Sequence, residues 1–79
     1  MEDWFLLLTQ RKEVVQVTKN EEEGYYVECI NRNSVAEEIL DEMKKHLGEN
    51  YHYGIKSYNK YWKENSNNNN LIVYAKEKE

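Results

Sequence analysis

The chain has 79 residues, a formal net charge of −4 and one cysteine, Cys29. That length bounds it to one small domain over 1–79 with no internal disulfide, burying about 60 % of the surface its unfolded chain exposes. The longest apolar run, WFLLL at 4–8, is far short of the ~20 residues a membrane helix needs and follows two acidic residues. Neither a spanning segment nor a secretory leader is therefore expected, and a lone cysteine fits a soluble protein of a reducing cytoplasm.

In chain order, WFLLLTQ (4–10) reads as a first strand. The connection after it, at Arg11 and Lys12, lacks Gly or Asn, so a short helix over 4–12 is the alternative for this end. EVVQVTK (13–19) and YYVECIN (25–31) are rich in β-branched and aromatic residues, and the turn NEEEG (20–24) joins them as a hairpin. A helix is expected over 35–47. Ser34 with Glu37 three residues on forms a capping box. Ala36, Ile39, Leu40, Met43 and Leu47 make one apolar stripe. Glu37 and Glu38 fall in its first turn and Lys44, Lys45 and His46 in its last, in accord with the helix dipole. Gly48 ends it. YGIKSYNKYW and LIVYA are two further strands, and the Asn-rich stretch 64–70 between them reads as a flexible loop.

The expected order is βββαββ. It describes an α+β domain in which an antiparallel sheet of four or five strands carries one helix on one face. The other face then meets solvent or a partner.

Strand alternation divides 53–62 into two sets. Ile55 places Tyr53, Ser57, Asn59 and Tyr61 on the helix side. Gly54, Lys56, Tyr58, Lys60 and Trp62 fall on the uncovered side. The segment 50–66 is also the only one with an excess of basic residues, three against one acidic. Lys56, Tyr58, Lys60, Trp62 and the adjacent Lys63 are accordingly the candidate partner-binding residues. Tyrosine and tryptophan anchor protein interfaces. Lysines between rings also suit single-stranded nucleic acid, which is the alternative ligand. Overall acidity opposes it, because such binding rests on many cations releasing counterions. A third reading is a self-assembling homodimer through this face or a sheet edge, and a bland one is a sheet former with lysines guarding an exposed strand.

Other constellations carry less. The acidic residues Glu21, Glu22, Glu23, Glu37, Glu38, Asp41, Glu42 and Glu49 read as solvated turn and helix surface, with phosphate mimicry as the alternative. His46, His52 and Cys29 match no zinc spacing. Cys29 sits mid-strand as a small hydrophobe. No nucleophile–base–acid set and no glycine-rich phosphate loop is present. No catalytic residue, metal or cofactor is expected. In size and A+T-rich codon composition the chain resembles small virus-encoded inhibitors. The expectation is a non-enzymatic interaction protein, an inhibitor or adaptor from a phage, virus or mobile element, acting in the host cytoplasm.

Overall fold

The computed structural model describes residues 2–22, 24–58 and 69–78. A short helix α1 (Asp3–Leu7) runs into a 3-10 turn (Leu8–Gln10). Strands β1 (Val14–Asn20) and β2 (Gly24–Cys29) follow, then helix α2 (Asn33–Leu47), a 3-10 turn (Gly48–Asn50), and strands β3 (Tyr51–Tyr58) and β4 (Asn70–Glu77). The four strands form one antiparallel sheet in the order β1-β2-β4-β3. The α+β class, the antiparallel sheet and the principal helix on one face are as the sequence implies.

The first element differs from the strand expectation: residues 3–10 are helical, giving αββαββ. The physical reason lies in the residues. Leucine is a strong helix former, and no β-branched residue occurs before Thr9. Phe5 and Leu8, three apart, are the buried pair, whereas Leu6 and Leu7 are exposed. That is a helical period rather than alternation.

α1 is fastened at three points. Phe5 meets the Tyr25 ring edge-on at 4.9 Å. Trp4 stacks on His46 of α2 with ring centres 4.6 Å apart and planes within 7°. Oε1 of Glu2 accepts from the Tyr25 hydroxyl at 2.7 Å and from Lys19 Nζ at 2.9 Å. Both helices therefore lie on one face of the sheet, beside each other.

The core sits between that face and α2. In-register rows on the helix side are Val17–Val27–Val73–Ile55 and Lys19–Tyr25–Ala75–Tyr53. Val27, Val73, Ile39 and Met43 are fully excluded from water. Two glycines are dictated by the backbone. Gly48, at φ +77°, closes α2 where other residues are strained. Gly24, at φ +102°, ends the β1–β2 turn, and a Cβ there would fall 2.1 Å from the Ala75 carbonyl oxygen. Inside that turn the Glu22 amide donates to Asn20 Oδ1 at 2.9 Å, a local side-chain bond of the kind that favours Asn in turns.

Four further expectations need correction. The capping box is not formed: α2 begins at Asn33, Arg32 holds the cap position without a side-chain cap bond, and Ser34 is already inside the first turn. Consequently the first turn contains no acidic residue, while Lys44, Lys45 and His46 do occupy the last. The core centre is Ile39 and Met43, with Val35 and Ala36 also buried; Leu40 and Leu47 only flank it. Finally, Asn70 is not loop but the first residue of β4. The rest of the expected loop, 64–68 apart from Asn69, lies outside the described residues.

Ile39→Ala is expected to lower unfolding free energy by ~2–5 kcal/mol, as large-to-small changes at sealed core positions do. Ser34→Ala should shift the urea midpoint hardly at all, since its hydroxyl is not in the cap position. Equal losses in the two variants would show that the helix start, not its buried face, limits stability.

A second expectation concerns acid. The hydrogen bonds from Tyr25 and then Lys19 lower the Glu2 carboxyl from its ordinary 4.5 to about 2. A depressed carboxylate stabilises the fold above its unfolded value, and the contribution is lost as pH falls from 4.5 towards about 2. The side chain retains 38 % exposure, so solvent screens much of the effect. The urea midpoints of wild type and Glu2→Gln should differ near neutral pH and converge through that acid window. A constant gap would remove the ionic role of Glu2.

Candidate functional site on the helix-free sheet face

Neither helix covers the opposite face of the sheet. Two rows cross it in register. One is Thr18–Tyr26–Tyr74–Gly54 and the other Gln16–Glu28–Ile72–Lys56. Lys76 and His52 form a further pair beside them.

The second row is anchored by a buried carboxylate. Glu28 is only 4 % exposed, although neither described helix lies on its face. Gln16 Nε2 donates to one of its oxygens at 2.9 Å, and Asn70 Nδ2 to the other at 2.7 Å. Donors on both oxygens offset the cost of removing a carboxylate from water. The three residues come from β1, β2 and β4, so this pair of bonds laces three strands together. Asn70, from the stretch read as a featureless loop, is one of the two donors.

The first row is aromatic. Tyr26 and Tyr74 are direct cross-strand neighbours, and next to Tyr74 stands Gly54 on β3. The Tyr74 ring lies over the glycine: a Cβ at position 54 would sit 2.3 Å from its hydroxyl oxygen. Glycine thus admits the ring, and the ring covers backbone that glycine leaves bare. Cations flank the tyrosines. Lys56 Nζ is 5.8 Å from the Tyr26 ring centre and 5.6 Å from that of Tyr74, and Lys76 Nζ is 5.9 Å from Tyr74. These lie within the ~6 Å reach of cation–π attraction. The result is a cross-strand tyrosine pair bordered by two exposed lysines.

Of the residues chosen from sequence, Lys56 stands in this constellation, on the opposite face from Ile55, as strand parity requires. Tyr58 is the last residue of β3, opposite Asn70. Lys60, Trp62 and Lys63 lie outside the described residues. Tyr26, Tyr74, Lys76, Gln16 and Glu28 were missed. Their signal is faint, because consecutive residues of β2 and β4 are buried on both faces and alternation disappears.

Electrostatically the molecule is two-sided. Glu37, Glu38 and Asp41 are exposed along α2, and Arg11 Nη2 pairs with Glu38 at 3.2 Å. The sheet face presents Lys56 and Lys76 while its carboxylate is buried.

Other places hold less. A shallow depression of about 450 Å³ at the end of α2 is lined by Lys44, Gly48, Glu49, Tyr51, Tyr53 and Lys78. The Tyr53 hydroxyl is committed to the Gly48 carbonyl there, and the lysines oppose both Glu49 and the negative helix end. Cys29 is fully buried, and burial, with Glu28 as a lesser cause, pushes its thiol up, away from the reactive thiolate. His46 is stacked on Trp4, and His52 stands on the sheet face, remote from Cys29 along the strands. Among the described residues no group of three or more His, Cys, Asp or Glu side chains is placed to hold a metal ion. Nor is any described helix long and apolar enough to cross a membrane.

Gly54→Ala should push the Tyr74 ring off the strand. The cost is expected at about 1 kcal/mol, the low end for overpacking, because the ring can swing outward. In proton NMR the Gly54 α-protons of the native protein should be displaced by ring current, and the Tyr74→Leu variant should lose that displacement. An unshifted Gly54 in the native protein would remove the ring from its place.

No family model, curated relative or solved structure matches this chain.

Proposed function

We propose that this chain is a small non-enzymatic interaction module that binds a protein partner through the helix-free sheet face. The observation that carries the reading is the Tyr26–Tyr74 pair, bordered by Lys56 and Lys76 and flanked by the hydrogen-bonded Gln16–Glu28–Asn70 set. Such a face is pre-organised, so little side-chain freedom remains to be lost on binding. Tyrosines supply anchor area and the lysines favour an acidic partner surface. Of the residues singled out from the sequence, Lys56 and Tyr58 belong to β3, and Lys56, Tyr58, Lys60, Trp62 and Lys63 stay in the proposed partner-binding set.

The A+T-rich codon composition and small size support an inhibitor or adaptor encoded by a phage, virus or mobile element. The single thiol supports action in a reducing cytoplasm. The alternative ligand, single-stranded nucleic acid, draws on the same tyrosines as stacking platforms. It is disfavoured by the acidic α2 and the net charge of −4.

Immobilised wild type, Tyr74→Ala, Lys56→Glu and, as a control on the helix side, Asp41→Asn would be compared for capture from cell extract. The expected result is a protein retained by wild type and Asp41→Asn and lost from both sheet-face variants. Against the purified partner, Tyr74→Ala should weaken binding by ~2 kcal/mol, the hot-spot scale. Labelled oligonucleotides titrated at rising salt decide the alternative: tight binding with a steep salt slope would replace the protein partner by nucleic acid. Capture indifferent to both sheet-face changes would overturn the proposal.

A further inference from the structure

The sheet has two edges, and they are not equally defended. β1 is broken by a register shift between Val14 and Gln16, which leaves Val15 as the extra residue, and it carries Lys19 near its end. Bulges and edge lysines are devices that discourage strand pairing. β3 has no bulge, and its one lysine, Lys56, is turned back over the Tyr26 and Tyr74 rings rather than out along the edge. It pairs with β4 without interruption from Tyr51↔Glu77 to Tyr58↔Asn70. Among the described residues no strand lies beyond it.

The direction of its backbone groups follows from one hydrogen bond. The Lys78 amide donates to the Asn50 carbonyl at 2.9 Å. Residues 50 and 78 are therefore a hydrogen-bonded pair, and the antiparallel pattern repeats every two residues. Positions 52, 54 and 56 turn their amide and carbonyl groups towards β4. Tyr51, Tyr53, Ile55 and Ser57 turn theirs outward from the sheet. Ile55 is in addition an exposed apolar side chain on the helix side of this edge.

We infer that β3 pairs with β3 of a second copy of this chain, antiparallel about a two-fold axis through Gly54, to make one continuous eight-stranded sheet. The strand is self-complementary in that register. Tyr53 pairs with the partner's Ile55 and Tyr51 with the partner's Ser57, each pair reciprocated, so all four outward-turned residues find hydrogen-bonding mates. On the helix side each exposed Ile55 is covered by a tyrosine, a favourable aromatic–β-branched cross-strand pair. On the other side Gly54 meets the partner's Gly54 as a non-hydrogen-bonded pair. The Tyr74 ring of each copy already lies over its own Gly54 and reaches towards the axis. A registry displaced by two residues leaves outward groups unpaired at the strand end. The closed two-fold contact uses up the open edge on both copies, which ends assembly at the dimer. This inference is separate from the sheet-face proposal, though it would set two tyrosine pairs side by side on one surface.

Light scattering over a concentration series tests it directly. The expected mass is twice the 9.6 kDa of the chain. Ser57→Pro removes an outward-turned amide, a place where proline is tolerated in an edge strand. It should give a folded monomer by circular dichroism and scattering. Because that variant could unfold, a second one fixes the register. In the proposed pairing His52 lies opposite the partner's Lys56. His52→Cys with Lys56→Cys should therefore oxidise to a covalent dimer. Within one strand those positions are about 13 Å apart, too far for a bridge. Wild type that remains monomeric at millimolar concentration overturns the inference. So does a dimer that persists in folded Ser57→Pro, or one whose paired cysteines fail to cross-link.

Discussion

The register of β2 against β4 is the constraint on which the rest of this molecule depends. The two strands are distant in sequence yet central in the sheet, and Val27 opposite Val73 forms the water-free floor beneath Ile39 and Met43. The same pairing that aligns those valines aligns Tyr26 with Tyr74 on the other face and brings Glu28 within reach of Asn70. A slip of one residue would turn every one of these side chains to the wrong side. Core and surface are consequently set by one alignment.

Two fastenings hold the periphery to that centre. On the helix side, α1 is a single turn and a half, too short to be stable by itself. It is kept by Phe5 against Tyr25, Trp4 against His46, and the Glu2 carboxylate between Lys19 and Tyr25. One Glu2 oxygen carries both bonds while the other is covered without a hydrogen-bond partner. On the opposite side, Glu28 plays the corresponding part for β1 and β4. In each case a carboxylate from one element accepts from two others, and the geometry is stiffened because charged acceptors make the stronger bonds.

The sheet face and the β3 edge follow from the helix arrangement. With α1 and α2 both on one side, the described residues of the other side are polar and aromatic apart from Ile72. Among the described residues β3 is an outer strand, and half its backbone groups turn away from β4. Glu37, Glu38 and Asp41 of α2 are exposed on the side away from Lys56 and Lys76, a difference that a partner can distinguish.

The sequence by itself determined the antiparallel α+β class, the extent of α2 to within two residues, its stop at Gly48 and the placement of Ile55 and Lys56 on opposite faces. Each of these is local. A 3.6-residue stripe, a glycine free to take positive φ and a two-residue alternation all act over a few neighbours. Where local preferences were balanced, tertiary contacts decided. Trp4–Gln10 had apolar mass for either strand or helix; its leucines lean to helix, and the docking of Phe5 and Leu8 holds so short a helix in place. The site was legible only on β3. Tyr26 and Tyr74 become neighbours, Asn70 becomes a hydrogen-bond donor to a buried carboxylate, and Gly54 becomes a seat for a ring, only once β4 inserts between β2 and β3. That strand order joins residues nearly fifty positions apart, and no periodicity within one strand encodes it.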